Sequence, residues 1–170
     1  MKVLIRNAVA SDFSQIRMVV EANDASLGAS FTRDWDDWGA RGFPFNEQFF
    51  VAIHANEILG ITGFRPDAWG ATDVWWLVWL YIHPLYKRKG IATKLFTVAQ
   101  NELYKIGCRK AYLDVGDLIL QADAVAFHQK SGFSLEGSLI DFWGAGAHHH
   151  IFGKKLGSNR KYFSANTYEK

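Results

Sequence analysis

The sequence predicts a domain of the α/β class, and three observations carry that prediction. An all-apolar run from Val74 to Ile82 stops at Pro84 and reads as a central strand covered on both faces. Gly90 opens the strongest helical pattern in the chain: Ile91, Leu95, Ala99, Leu103 and Ile106 recur at helical spacing, and Gly107 suits the C-terminal cap. Strand-like and helix-like segments alternate on both sides of this pair, which is the pattern of helices laid over a sheet.

The remaining elements follow in order. Met1-Lys2 leads straight into a short strand pattern. Asp12 can cap a first helix, with Gln15 in the capping-box position and Phe13, Ile16 and Val20 on one face. Asn23 to Gly28 breaks that pattern, and the segment through Pro44 reads as irregular, with Gly39, Gly42 and an aromatic-acidic cluster. Phe49 to His54 and Glu57 to Phe64 form a hairpin around Ala55-Asn56. After the long helix, Ala111 to Val115 is a strand, and a helix from about Ala122 to Lys130 stops at Gly132. Phe133 to Trp143 and His148 to Leu156 are antiparallel strands around Gly144-Ala145-Gly146. The domain is placed at 1–157, with 158–170 a polar C-terminal tail.

Bulk properties narrow the function classes. With 170 residues, 49% hydrophobic and 21% charged, the chain reads as one globular domain with a real core. A net charge of +2 without a basic stripe argues against a nucleic-acid partner. The longest apolar run falls well short of the ~20 residues a membrane helix needs, and no signal peptide is visible. The lone cysteine, Cys108, has no partner for an internal disulfide and reads as a buried filler, which fits a cytoplasmic protein.

The segment Leu80 to Ala92 carries the functional signal. A strand there feeds a loop of free amides at a helix start, beside the cations Lys87, Arg88 and Lys89. Helix N-termini present unpaired N–H groups and a partial positive charge, and Gly90 lets a ligand approach the backbone. That is chemistry for phosphate. Ile82-x-Pro84 followed by Tyr86-Lys87-x-x-Gly90-Ile91-Ala92 resembles the acetyl-CoA signature of the GNAT acetyltransferase superfamily. Lys130-Ser131-Gly132-Phe133 and the closing strands resemble the same family.

The resemblance implies the GNAT acyl-CoA N-acyltransferase fold: a mixed, mostly antiparallel sheet of about six or seven strands, flanked by helices. It implies acetyl-CoA as cosubstrate, with no metal. Arg88, Lys89, Gly90, Ile91, Ala92 and Thr93 would cradle the pyrophosphate, with Lys87 at the family's basic position. Leu80, Tyr81 and Ile82 would pair with the pantetheine arm as an added strand. The family splays its central strand from the next one near the position of Pro84, which frees an amide near Tyr81 or Ile82 for the thioester oxygen.

The implied reaction is transfer of an acetyl group to a primary amine of a small molecule. A catalytically silent acyl-CoA-binding module and a protein or peptide N-acetyltransferase are the alternatives, and a homodimer is compatible with either.

Catalytic residues are less well marked. His128 stands where the family often places a tyrosine acid, and reads either as a proton donor to the thiolate or as a helical histidine with no catalytic duty. Gln121 replaces a common asparagine and could still reach the cofactor. The family's occasional strand glutamate corresponds to about Trp76, which takes no proton. Asp114 is the first substitute for the base, ahead of His54 and His83, with a water relay and direct attack by neutral amine equally open.

Trp35 and Trp38, among Asp34, Asp36 and Asp37, are the candidate acceptor-binding aromatics; the other reading makes them core. His148-His149-His150 cannot all meet one metal ion, because consecutive strand residues point to opposite faces.

Overall fold

In a computed structural model, which describes residues 1–157, a seven-stranded sheet runs in the order β1-β2-β3-β4-β5-β7-β6. The strands are β1 (Leu4–Asn7), β2 (Gln48–His54), β3 (Glu57–Pro66), β4 (Val74–Ile82), β5 (Lys110–Val115), β6 (Ser134–Gly144) and β7 (Ala147–Lys155). The helices are α1 (Phe13–Glu21), α2 (Gly28–Ala40), α3 (Ile91–Lys105) and α4 (Ala122–Lys130). Only β4 and β5 pair in parallel, joined by the α3 crossover. The expected mixed, mostly antiparallel sheet is present, at the upper strand number. The expected polar tail, 158–170, lies outside the described residues.

The sheet divides two cores. On one face α3 and α4 cover Phe50, Leu59, Phe64, Trp75, Leu77 and Ile82. On the other, α1 and α2 cover Phe49, Val51, Ile58 and Ile61. The β2–β3 hairpin turns at Ala55 (φ 47°) and Asn56 (φ 68°), the two positive values a tight hairpin turn requires. Cys108 is buried below the end of α3, and burial pushes its thiol up to about 11. Among the described residues no helix is long and apolar enough to cross a membrane.

Two local expectations are corrected. Residues 28–40 are not irregular but form α2. Phe31, Trp35 and Trp38 are spaced four and three apart, so they make a buried stripe that outweighs the glycines within the segment. Asp12 makes no side-chain cap on α1. Its carboxylate instead accepts both Arg6 nitrogens, at 2.6 and 2.8 Å, and the Val9 amide at 2.9 Å. A bidentate charged pair is stronger than a capping bond, and it draws the aspartate away. Gln15, the other half of the expected capping box, accepts from the Ile58 amide at 3.0 Å and so ties α1 to β3.

Candidate active site

The site begins where the sheet fails to close. β4 and β5 pair at Val74–Lys110, Trp75–Ala111 and Trp76–Tyr112 and no further, though both strands continue. The splay therefore starts well before Pro84. Trp79 sits in the left-handed region at φ 56°, close to the register shift between β3 and β4. Such a bulge bends one strand away from its neighbour.

Beyond the bulge β4 stays bonded to β3. The His83 amide donates to the Leu59 carbonyl at 2.8 Å, and Tyr81 lies opposite Ile61. Alternation along an antiparallel strand then turns the backbone groups of Ile82, and of Leu80 two residues earlier, into the gap. Asn23, just past α1, donates to the Ile82 carbonyl at 3.0 Å and to the Val19 carbonyl at 2.9 Å. Asn23 was not singled out from the sequence. Its only local signal is a polar amide beyond a helix end, and a bond to a residue 59 positions away leaves no trace in spacing.

At the tip of β4 the chain makes a single turn over Pro84–Tyr86 and enters α3 through Lys87, Arg88, Lys89 and Gly90, all exposed. Arg88 (φ 63°) and Gly90 (φ 75°) both take left-handed backbone, an arrangement that makes successive amides converge on an anion. No side chain caps α3, whose first helical bond runs from the Lys94 amide to the Gly90 carbonyl. The amides of Ile91, Ala92 and Thr93 thus have no helical acceptor. These donors, with three cations around them, fit a pyrophosphate. Lys89 stacks its ammonium 5.0 Å from the Tyr86 ring, which holds the loop's shape.

The two faces of the gap differ in chemistry. Leu80, Ile82, Leu113 and Val115 point to the α3/α4 side. Alternation sends Tyr81 and Asp114 to the α1/α2 side. Burial, helped by the carboxylates of Asp114 and Asp24, pushes the Tyr81 phenol up to about 12. Asp114 is exposed and lies 3.8 Å from Nδ1 of His149 on β7.

His128 lies on the α3/α4 side, 7% exposed, with Phe96, Phe127 and Phe133 around it. Its Nδ1 is buried without a hydrogen-bond partner among the described residues, and burial pushes the imidazole down to about 4. At neutral pH it is uncharged and has no extra proton to give a thiolate. Gln121 accepts from the Gly116 amide at 3.2 Å and so closes the turn before α4.

Trp35 and Trp38, the candidate acceptor-binding aromatics, lie where the other reading puts them, in the core. They are 6% and 5% exposed and pack edge to face at 5.0 Å within the α1/α2 core. The Trp38 indole donates to the Glu47 carbonyl at 3.0 Å. Of the neighbouring acids, Asp34 reaches back to the bulge, where it accepts from the Trp79 indole at 3.0 Å. His54 bonds to the Lys2 carbonyl and His83 caps its own turn.

A sheet opened between two parallel strands, with an anion cradle at the tip of the first, defines the acyl-CoA N-acyltransferase fold. The Acetyltransferase (GNAT) family model matches residues 11–133, and the chain belongs to that family. An acetyltransferase of Agrobacterium fabrum is 36% identical over 66 residues, covering 36% of this chain and 45% of its own. The chain spans about half the length of the curated relatives it matches. Among solved structures, an aminoglycoside 6'-N-acetyltransferase complexed with coenzyme A superposes with a TM-score of 0.75 at 15% identity, covering 93% of this chain and 99% of that one. A ribosomal-protein-alanine N-acetyltransferase from Brucella melitensis gives 0.71 at 18% identity, over 90% and 99%. At such identities the likeness is one of fold.

Proposed function

We propose that the protein transfers an acetyl group from acetyl-CoA to a primary amine of a small molecule. The observation that carries this reading is the gap itself. An anion cradle and the backbone edge of β4 left by β5 lie at one end of it, and Tyr81 and Asp114 alternate onto its α1/α2 face. Lys87, Arg88, Lys89 and the amides from Gly90 to Thr93 would hold the pyrophosphate. Leu80 and Ile82 would pair with the pantetheine arm, and an amide on that edge would face the thioester oxygen, where negative charge develops during transfer.

The chemistry balances without a charged imidazole at His128. The amine nitrogen uses its lone pair to form the C–N bond, the C–S bond breaks with its pair on sulfur, and the sulfur is protonated at the nitrogen's expense. Asp114 is the proposed base that frees the lone pair, since it reaches the gap from the acceptor face. His128 serves this reading as packing under α4.

The test is thiol release from acetyl-CoA with phenethylamine, putrescine, lysine and kanamycin as acceptors, in the unmutated protein and in His128→Phe. Amine-dependent release that persists in the variant is expected. No release with any acceptor, despite tight binding of coenzyme A, would refute the reading.

A further inference from the structure

Asp114, the proposed base, has an ionisable neighbour on β7. Asp114 lies opposite Ile151 on β7, so the residue two positions back, His149, is its diagonal neighbour on the same face. The Asp114 Oδ2 to His149 Nδ1 separation is 3.8 Å. That same Nδ1 accepts a hydrogen bond from the Trp143 indole at 3.2 Å. The Phe142 ring lies 5.0 Å from the imidazole at an interplanar angle of 33°. A nitrogen that accepts from an indole carries no proton, so the neutral tautomer has its hydrogen on Nε2. That Nδ1 lone pair, taken up by the indole N–H, is also the one nearest Asp114.

Resting on the acetyl-transfer reading, we propose that Asp114 and His149 work as a pair. Asp114 meets the acceptor's ammonium, and His149 is the positioning residue that receives the proton through it. A carboxylate alone is a poor base for an ammonium, and an imidazole is ordinarily the stronger base by about two to three units. In the step, an ammonium N–H bond breaks and its electron pair stays on nitrogen. Once side-chain rotation closes the 3.8 Å separation to hydrogen-bond distance, the proton passes through Asp114 to Nδ1 of His149, and the nitrogen pair forms the C–N bond as the C–S bond opens. The Trp143 indole gives up its acceptor in the same event. The product state is an imidazolium beside a carboxylate, which later releases its proton to solvent.

Other charged groups near His149 are accounted for. The carboxylates of Asp114 and Asp24 both act to raise the Tyr81 phenol. On the opposite face of β7, His148 lies 3.6 Å from Asp141, and His150 bonds to Ser138 at 2.7 Å. The Asp117 carboxylate, lowered chiefly by the Leu120 and Ile119 amides, is lowered further by both of those histidines.

Two measurements test the pair. The first needs no substrate: the His149 ring nitrogens are followed by NMR against pH in the unmutated chain and in Asp114→Asn. The proton should reside on Nε2 in the neutral form. With the carboxylate removed, the His149 ring-nitrogen resonances should change. The Trp143 indole resonance should move in step. The second is the pH dependence of kcat/KM for the fastest amine of the panel. His149→Gln should displace the acid limb and lower kcat/KM at least about tenfold, with KM for acetyl-CoA unchanged. An imidazole indifferent to Asp114→Asn, or an acid limb that stays put in His149→Gln, overturns the proposal. Failure of the unmutated chain to release thiol with any amine would instead remove the acetyl-transfer reading, with the NMR coupling scored separately.

Discussion

Replacing His128 by phenylalanine should remove a pH dependence of folding that can be worked from the structure. The imidazole is held at about 4 in the folded chain, against an ordinary value of 6.5, and burial is the cause. Below pH 6.5 the unfolded chain binds a proton that the folded chain refuses until about pH 4. This contribution therefore weakens stability as pH falls through that window and is absent above it. Between pH 7 and 5 the loss is about 2 kcal/mol for these two values. In a domain of this size that corresponds to roughly 4–8 °C in Tm. The assay is urea denaturation of both proteins at pH 7, 6 and 5, read as the difference between them. The other histidines titrate in both chains and cancel, as does any constant packing cost of the larger ring among Phe96, Phe127 and Phe133. Parallel stability curves from pH 7 to 5 would refute the reasoning. They would mean that the imidazole accepts a proton in place, and its role as a donor to the thiolate would be open again.

Three further perturbations test other parts of the site. Gly90→Ala places a side chain at φ 75°, costing about 1–2 kcal/mol, and should weaken coenzyme A binding roughly five- to thirtyfold by calorimetry; unchanged affinity would sink the cradle. Trp35→Ala should destabilise the fold by about 3–5 kcal/mol while the amine KM of the folded fraction stays put, and a raised KM would return Trp35 to the acceptor site. Cys108, its thiol pushed up to about 11, should resist alkylation at pH 8 until guanidinium unfolds the chain; rapid native labelling would contradict its burial.

The most legible parts of the fold were those whose signal is local. β4 is an unbroken apolar run, α3 keeps its helical period for fifteen residues, and the cradle follows from their junction at Gly90. α2 was hidden because Arg33, Asp34, Asp36 and Asp37 crowd between its aromatics, although Phe31, Trp35 and Trp38 hold a helical stripe. Tertiary partners account for the remainder. Asp12 looks like a cap until Arg6 is brought beside it, and His128 looks like a donor until three phenyl rings close around it. His149 was one of three adjacent histidines, and only the β5–β7 register separates it from its neighbours.

What holds the gap open comes mainly from those less legible helices. A tryptophan at φ 56° is strained by about 1–3 kcal/mol, so the bulge at Trp79 persists only if its surroundings over-determine it. Two contacts from α2 do so: Asp34 accepts the indole N–H, and Phe31 packs edge-on to the ring at 5.1 Å. From the end of α1, Asn23 fixes the Ile82 carbonyl on the edge that β5 has abandoned. On the β3 side Gly60 supplies the room. A Cβ there would stand 2.9 Å from the Tyr81 carbonyl and 2.5 Å from the Ile82 side chain, closer than the packed tip of β4 allows. The apolar run of β4 thus provides a strand that could pair along its whole length. Residues 23, 31, 34 and 60 stop it from doing so, and that interruption creates the opening on which both the cradle and the acceptor face depend.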